Sequence, residues 1–600
     1  METPPEKPKP AQSRRRLVKI LVTVLVIVVV AGGSGWFYVS HLGAEAKRVY
    51  ELGSTLNAFF ANYTSALKKR NVAGVLDLYD AKYFSDESLL KEELIWQDET
   101  TLEIKDRVRV YAVKETDRHR FAKEDVRQQI ETQLATMDYV NFAKLKIERI
   151  EDQTDSTHAR LKTLLWLRGQ QENGETVETH LSMRLWLTKE EGWRIAQKEF
   201  LNGTTVRGRA TGFTDVTGKA GIDFKAHHNP MLLHDEQWKP KLFPIMKYAH
   251  GGVATADFDA DGWYDIFFCD GEHSKLYRNL HNGEFVDVTA KAGLPDTLPG
   301  VHMALFADFN NDGYPDLFLS RSTGENKLYK NNGDATFTDV TSGANLGGLW
   351  VSTASAADYD NDGQLDLYLG RYLDPRTNIP TTIFYTRNGE GNTLLHNDGN
   401  FHFTDVTSKV TREGGLTLGL AWGDYDGDGN IDLYVANDFG RNALLKNNGD
   451  GTFSDVSKET GTLDIGYGMS ATFADIDNDG RLDLYVSNVH SGQRWFGNEA
   501  TLRNYIVTSF KQGTIHEDRA LFEEIHGLIG NDWEGFGERV IRGNSLFLNR
   551  GKTFQDVSEE AYANPHGWYW GSVAFDYDND GLQDIYAANG WITGNKPDDL

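Results

Sequence analysis

An Asp-rich nonapeptide recurs six times in this chain and constrains its fold more than any other feature of the sequence. The copies read DFDADGWYD from Asp257, DFNNDGYPD from Asp308, DYDNDGQLD from Asp358, DYDGDGNID from Asp424, DIDNDGRLD from Asp475 and DYDNDGLQD from Asp576. Each copy leads into a strand-like run such as LYLG or LYVA. The repeat period of about 50 residues is the size of a four-stranded propeller blade.

The nonapeptide shares its alternating acids with the EF-hand calcium loop, but it is not an EF-hand. An EF-hand loop carries a bidentate Glu at its twelfth position. The residues at that position here are apolar or small and fall inside predicted strands: Phe268, Leu319, Leu369, Val435, Val486 and Ala587. An acid at position nine is present in all six copies instead.

Two shorter elements recur in phase with the loops. One is FxDVT or FxDVS, which begins at Phe213, Phe285, Phe337, Phe403, Phe453 and Phe554; the other, between loop and FxDV, is KLYRN, KLYKN or SLFLN. The first FxDV precedes every loop, and none follows the last loop. We therefore expect the Phe213 strand to complete the last sheet and to close a six-bladed ring. A seventh, degenerate blade is the alternative.

From about Thr204 to the end, the chain resembles the FG-GAP/VCBS repeats of integrin-α-type β-propellers, and most of all the cartilage-acidic-protein-like group. The resemblance implies up to six mainly structural Ca²⁺ ions. Each is held by the side chains at positions one, three, five and nine and by the carbonyl at position seven. These residues are Asp257, Asp259, Asp261, Trp263, Asp265; Asp308, Asn310, Asp312, Tyr314, Asp316; Asp358, Asp360, Asp362, Gln364, Asp366; Asp424, Asp426, Asp428, Asn430, Asp432; Asp475, Asp477, Asp479, Arg481, Asp483; and Asp576, Asp578, Asp580, Leu582, Asp584. Asn310 departs from the pattern, so the second site is expected to be weaker.

Elementary chemistry supports calcium independently of the resemblance. Ca²⁺ takes six to eight hard oxygen ligands, and closely spaced carboxylates repel one another unless a cation lies among them. The loops hold 23 Asp side chains in a chain of net charge −26. Six Ca²⁺ ions would neutralise about half of that charge. A net charge this negative excludes nucleic acid as a partner.

The N-terminal segment predicts a membrane anchor. An apolar run from Leu17 to Val39 is long enough to span a bilayer, and the basic residues lie before it. We expect a cytoplasmic tail over 1–16, a transmembrane signal-anchor helix over 17–39 and a periplasmic or extracellular remainder. A cleaved signal peptide is the competing interpretation. The only cysteine, Cys269, excludes an intrachain disulfide.

The segment 42–203 has a different pattern. A helical pattern runs from Tyr50 to Asp80 and another from Lys123 to Met137, and strand patterns follow from Ala143 to Phe200. Helices first and a curved antiparallel sheet last resemble the NTF2-like cone fold. We therefore expect a small α+β domain over 42–203, before a mainly β repeat region over 204–600.

The repeat period is interrupted by insertions at about 222–248, 371–391 and 491–544. All three fall in the second or fourth turn of a blade, so they are expected on the face opposite the calcium loops, where a binding site is most often found. The candidate ligand-binding residues on them are His227, His228, His234, Arg371, Tyr372, Arg494, Trp495, His516, His526 and Trp533. The His spacing fits no standard transition-metal site.

Recognition of a protein or glycan, or assembly of an envelope complex, is the function that these features favour. The alternative is a saccharide-active enzyme of lyase or dehydratase type on the insertion face, with a Tyr or His base. A purely structural subunit of a membrane complex is the third interpretation. No motif of a serine hydrolase, zinc protease or P-loop nucleotidase is present in the sequence, and the sequence names no catalytic residue.

Overall fold

The computed structural model describes most of the chain after residue 54. The described residues are 55–56, 59–87, 90–97, 109–115, 119–152, 157–209, 215–241, 251–348, 350–380, 385–410, 415–490, 527, 539–565, 567–577 and 581–590. The predicted tail and transmembrane segment, 1–39, lie outside these ranges. Of the helices within them, none combines the length and the apolar character that a bilayer crossing requires.

The region before the repeats is an α+β unit. Its helices are 59–68, α1 (Val72–Leu76) and α2 (Lys123–Ala135). Its strands are β1 (Phe84–Glu87), β2 (Leu90–Gln97), β3 (Arg109–Glu115), β4 (His119–Ala122), β5 (Tyr139–Asp152), β6 (His158–Gln170), β7 (Glu175–Lys189) and β8 (Trp193–Arg209). Six of them form one antiparallel sheet in the order β2-β3-β8-β7-β6-β5, and β1 pairs with β4.

Alternation along the long strands creates the core of this unit. In β6 the buried side chains include Leu161, Leu165 and Leu167, and they form one cluster with Phe59 and Ile130 from the two longer helices. The prediction that helices come first and strands last is wrong in one respect, because β1 to β4 lie between the helices. Those segments, such as LKEELIWQ, are rich in charge and lack clean alternation, so their sequence gives a weak strand signal.

The repeat region forms five four-stranded antiparallel sheets and one two-stranded sheet, named sheets 1 to 6. Sheet 1 contains β9 (Gly252–Ala256), β10 (Asp265–Cys269), β11 (Lys275–Asn279) and β12 (Phe285–Asp287), and sheet 2 contains β13 (Val301–Ala307), β14 (Asp316–Arg321), β15 (Lys327–Asn331) and β16 (Phe337–Asp339). Sheet 3 contains β17 (Val351–Ala357), β18 (Asp366–Arg371), β19 (Thr393–Asn397) and β20 (Phe403–Asp405), and sheet 4 contains β21 (Leu416–Gly423), β22 (Asp432–Asp438), β23 (Ala443–Asn447) and β24 (Phe453–Asp455). Sheet 5 contains β25 (Gly468–Ala474), β26 (Asp483–Asn488), β27 (Ser545–Asn549) and β28 (Phe554–Asp556), and sheet 6 contains β29 (Tyr569–Phe575) and β30 (Asp584–Asn589). Short helices α3 (Pro230–His234) and α4 (Ser457–Thr460) and a 3₁₀ turn (Thr407–Lys409) lie in the connections.

Successive sheets pack face to face, and the first strand of each sheet contacts the first strand of the next, from β9 to β29. In the first four loops, the aromatic residue at position two packs against the Phe that begins the fourth strand of the following sheet; the fifth loop has Ile476 at this position. The ring centroids of these pairs lie 5.8 Å apart for Phe258–Phe337, 5.8 Å for Phe309–Phe403, 5.9 Å for Tyr359–Phe453 and 5.7 Å for Tyr425–Phe554. Repeat-sequence residues therefore build each sheet junction.

A buried Asn adds a hydrogen bond to each junction. The side-chain amide of Asn447, at the end of the third strand of sheet 4, donates to the Tyr359 carbonyl in the loop of sheet 3 at 2.7 Å. Asn331, Asn397 and Asn549 make the same bond to the preceding sheet at 2.7–2.8 Å. In sheet 1 the side-chain amide of Asn279 donates within its own sheet, to the Tyr264 carbonyl at 3.1 Å.

The row of sheets does not close into a ring within the described residues. Val253 of sheet 1 is 64% exposed, whereas Ala304, its equivalent in sheet 2, is 8% exposed because it packs against sheet 1. Val573, on the outer face of sheet 6, is 48% exposed. Phe213, which was predicted to begin the strand that completes sheet 6, lies outside the described ranges, as do residues 591–600.

Candidate calcium centres

Each nonapeptide forms a tight turn that its own carboxylates hold together. In the fourth loop, Asp424 accepts hydrogen bonds from the amides of Asp428 (3.1 Å) and Gly429 (2.9 Å), and Asp428 accepts one from Asn430 (2.9 Å). The first, second, third and fifth loops repeat all three bonds. In the sixth loop, Asp576 accepts from Gly581 at 2.8 Å, while Asp578 and Asp580 lie outside the described residues.

The turn requires two residues in the left-handed conformation, at positions six and four. Gly429 at position six has a φ of 87°, which explains its presence in every copy. Position four is also left-handed. Its residues are Ala260 (57°), Asn311 (57°), Asn361 (60°), Gly427 (73°) and Asn478 (56°). Asn and Gly tolerate this conformation, so their recurrence at position four was an available signal.

In the first five loops, the Asp at position nine is a buried anchor. Asp432 has an exposed fraction of 0% and accepts hydrogen bonds from the amides of Tyr425 (3.2 Å) and Asn447 (2.8 Å). Asp265, Asp316, Asp366 and Asp483 repeat both bonds, and in the sixth loop Asp584 accepts the first of them. Each anchor therefore connects the loop to the third strand of its own sheet.

Burial raises the pKa of these anchors, and the neighbouring loop carboxylates raise it further. The pKa rises to about 6 for Asp265 and Asp366 and to about 7 for Asp316 and Asp432. The backbone hydrogen bonds oppose the shift. A divalent cation among the carboxylates would favour the charged forms and reverse this effect.

The carboxylate oxygens converge as a calcium site requires. In the first, fourth and fifth loops, one oxygen from each of positions one, three and nine lies within 4.8 Å of the others, and in the third loop the same holds for positions one, three and five. Two position-three oxygens, Asp259 Oδ1 and Asp360 Oδ1, are buried and make no hydrogen bond. Buried carboxylate oxygens without a donor fit a bound cation, so the residues present suit Ca²⁺.

The second loop differs as its sequence suggests. Asn310 donates its amide to Asp312 Oδ2 at 2.9 Å, and its oxygen accepts from the Asp312 amide at 3.1 Å. It contributes a neutral oxygen where the other loops have a carboxylate. The second and third loops are also in contact, because Asn311 donates to the Gly363 carbonyl at 2.7 Å.

The side chains at position seven take roles other than metal binding. Trp263 stacks on His281, with ring centroids 5.2 Å apart, and Tyr314 lies beside Gly333. Arg481 donates to the Asn549 carbonyl at 3.0 Å, and Asn430 donates to Asp428 at 2.9 Å. The side chain can therefore vary at this position, where the resemblance implies only a carbonyl ligand.

The structure describes five of the ten residues predicted on the insertion face. His227 Nδ1 lies 2.8 Å from Oδ2 of the fully buried Asp270, whereas His228 and His234 are exposed. Arg371 lies 4.0 Å from Glu390, and the buried Tyr372 hydroxyl donates to Asp438 at 2.6 Å. Arg494, Trp495, His516, His526 and Trp533 lie outside the described residues.

Tyr372 and Asp438 are therefore part of the interior rather than of an exposed surface. Both side chains are buried. Burial raises the pKa of Asp438 to about 7, and the hydrogen bond from Tyr372 opposes the shift. The sequence pattern did not single out Asp438 or Asp270, because neither belongs to a repeated motif.

The first two insertions, 222–248 and 371–391, are in contact through residues that sequence reasoning missed. The Arg376 guanidinium lies 4.8 Å from the ring of Trp238 and 5.5 Å from that of Trp350, and Asp374 pairs with it at 2.7 Å. The Lys241 amide donates to the Pro375 carbonyl at 3.3 Å. This pairing could not be predicted, because its aromatic and basic residues lie in segments that are distant along the chain.

Comparison with known proteins agrees with this geometry. The FG-GAP-like repeat family matches residues 257–319, 308–369, 382–435 and 424–486. These segments contain the first five Asp loops, so this part of the chain carries FG-GAP-like repeats in a mainly β region.

Cartilage acidic protein 1 is similar to part of the chain. The protein from Xenopus tropicalis is 28% identical over 211 residues, which is 31% of this chain and 31% of that protein. The protein from Mus musculus is 35% identical over 104 residues, 16% of each. The chain thus matches a third or less of these relatives. The structure of an Agrocybe aegerita lectin that recognises non-reducing terminal N-acetylglucosamine matches 75% of this chain and 96% of its own length, at 13% identity. The TM-score of this match is 0.30, which is too low to establish a shared fold.

Proposed function

We propose that this protein is a membrane-anchored, extracytoplasmic, calcium-binding β-propeller that recognises a protein or glycan or assembles an envelope complex. The observation that supports calcium binding concerns the residues at position three. In Asp259 and Asp360, one carboxylate oxygen is buried, lies among converging carboxylates and receives no hydrogen bond. Equilibrium dialysis of the full chain against calcium tests it, with a stoichiometry of five to six ions expected because the Asn310 loop is weaker. A stoichiometry near zero would contradict it.

A closed ring is the second part of the proposal, and residues 215–222 support it. They repeat the hydrogen bonds that follow the fourth strand of sheet 1: Thr217 N to Asp215 (2.9 Å) matches Thr289 N to Asp287 (2.9 Å), and the Phe285 amide donates to Ala220 as Phe337 donates to Ala292. Residues 215–222 thus occupy the place that follows the fourth strand of a sheet before sheet 1. Sheet 6 is the described sheet that lacks a fourth strand.

Phe213 is then the residue that begins this fourth strand. Phe213→Ala is expected to lower the free energy of unfolding by about 3 kcal/mol, as Phe→Ala does at a packed junction, and Phe453→Ala serves as the matched junction variant. Urea unfolding of the full chain measures both. If Phe213→Ala costs nothing while Phe453→Ala is destabilising, this closure is wrong.

Recognition is proposed for the insertion face because the insertions at 222–248 and 371–391 pack together there around Arg376. Aromatic and Arg side chains at a surface are frequent anchors of protein and glycan contacts. The test is capture of glycans on an array, and of envelope proteins after cross-linking, by the full chain in detergent. Binding that Arg376→Ala weakens and that Lys458→Met leaves unchanged supports this face, whereas binding unaffected by Arg376→Ala places the contact elsewhere.

A saccharide-active enzyme is the alternative, and one observation favours it. His227 is half exposed and bonded to the fully buried Asp270, the arrangement of an oriented general base. Incubation of the full chain with uronate-containing polysaccharides would reveal unsaturated products if this alternative is correct. Activity that His227→Gln abolishes would replace recognition with catalysis as the function.

The remaining parts of the proposal concern the residues before the repeat region. The apolar run at 17–39 supports a single-pass anchor with a cytoplasmic tail, which alkaline extraction of membranes and protease protection of the tail would test. The six-stranded sheet with helices 59–68 and α2 in its core supports the NTF2-like assignment. An experimental structure with a different topology would contradict the NTF2-like assignment. We propose that this domain serves as a spacer.

A further inference from the structure

In each of sheets 1 to 4, one side chain from the third strand reaches the calcium loop of the same sheet. It is the residue directly before the junction Asn, and it differs from sheet to sheet: Arg278, Lys330, His396, Lys446 and Leu548 in sheets 1 to 5. Its register is fixed, because the next residue donates its amide to the position-nine Asp in every case. This position therefore faces the same loop oxygens in each repeat.

In sheet 4 the ammonium of Lys446 lies against the carboxylates of the calcium loop. It pairs with Asp426, and it lies 2.7 Å from Asp428 Oδ2. Asp426 and Asp428 are the residues at positions three and five, and both belong to the set proposed to hold Ca²⁺. The ammonium and the ion would therefore compete for the same oxygens.

Sheet 1 repeats the arrangement with a different cation. The Arg278 guanidinium lies 2.5 Å from Asp259 Oδ2 and 2.9 Å from Asp261 Oδ2. Lys330 in sheet 2 is more distant, at 3.6 Å from Asp312, and His396 in sheet 3 lies 3.1 Å from Asp366. Leu548 in sheet 5 carries no charge, and Arg550 instead reaches Asp477 at 2.9 Å.

We propose that this third-strand position sets the calcium affinity of each loop, and that Lys446 and Arg278 lower the affinity of the fourth and first sites. The inference rests on the proposed calcium binding. A tethered monovalent cation beside the ligands repels Ca²⁺ and must leave the Asp oxygens before the ion can use them. The same cation neutralises part of the carboxylate repulsion when calcium is absent.

The test is site-resolved hydrogen exchange of the full chain, measured by mass spectrometry across a calcium titration. The calcium concentration that half-protects the peptide containing residues 424–432 should fall about tenfold in Lys446→Met, because the variant removes a unit positive charge that repels the divalent ion at close range. Lys446→Arg should keep the wild-type midpoint. Peptides containing the second and fifth loops report unchanged sites in the same sample.

Two controls make the result specific. Lys458→Met removes an equal charge from an exposed residue of helix α4 that belongs to no calcium loop, and it should leave every midpoint unchanged. Arg278→Met should lower the midpoint of residues 257–265 alone, and it provides a second test if Lys446→Met fails to fold. A wild-type chain in which calcium protects no loop would overturn the calcium proposal itself. Protection with an unchanged or raised midpoint in Lys446→Met would overturn this inference only.

Discussion

Asn447→Ala is expected to lower the free energy of unfolding of the repeat region by about 3–4 kcal/mol. The fully buried Asn447 side chain donates to the Tyr359 carbonyl at 2.7 Å and to the Ile431 carbonyl at 3.2 Å, and it accepts from the Gly449 amide at 3.0 Å. Alanine removes all three bonds and leaves the buried Tyr359 carbonyl without this donor, and an unpaired buried group costs roughly 1–3 kcal/mol before relaxation. The bond to Tyr359 also crosses between sheets 4 and 3.

Urea unfolding followed by tryptophan fluorescence measures this loss. The neighbouring Asn448→Ala is the matched control, because Asn448 is exposed and bonds only within its own turn, to Thr452 and Ser454. It should change stability by less than about 0.5 kcal/mol. Equal effects of the two variants would show that the buried Asn does not hold the junction.

Asp432→Ala is the second large effect, and its size depends on calcium. The variant leaves the Tyr425 and Asn447 amides without their acceptor and removes a proposed metal ligand. With saturating calcium we expect a loss of about 3–5 kcal/mol. With excess chelator the difference from wild type should shrink, because the wild-type carboxylate is then buried without a cation.

The matched control for this variant is Asp450→Ala. Asp450 is exposed and accepts from the Thr452 amide at 3.0 Å, outside the loop. Its effect should be below about 1 kcal/mol and independent of calcium. A loss in Asp432→Ala that is the same with calcium and with chelator would show that its carboxylate has no metal ligand role.

Local repetition explains why the repeat region could be predicted from its sequence. Each loop needs Gly at position six, and each second strand is apolar on both faces. Because the same spacing recurs, the strand positions can be read directly from the amino-acid sequence. The residues before α2 could not be predicted as strands, because segments such as LKEELIWQ expose most of their side chains and need no alternation.

Contacts between repeats were much harder to predict than the repeats themselves. The Asn at the end of LYxN recurs visibly, but its hydrogen bond to the preceding sheet depends on how sheets pack, which one repeat does not specify. The same reason applies to Arg376, whose partners Trp238 and Trp350 come from distant segments. Tyr372 was predicted as a surface contact, and its burial against Asp438 corrects that prediction.

The central claim is that calcium in the Asp loops stabilises the row of sheets, and thermal unfolding of the full chain tests it most directly. The midpoint is compared in millimolar calcium, in excess chelator, and after adding back calcium or magnesium. We expect a large fall on chelation that calcium reverses and magnesium does not, because flexible multi-carboxylate loops suit the larger ion. An identical midpoint in calcium and in chelator would contradict the claim.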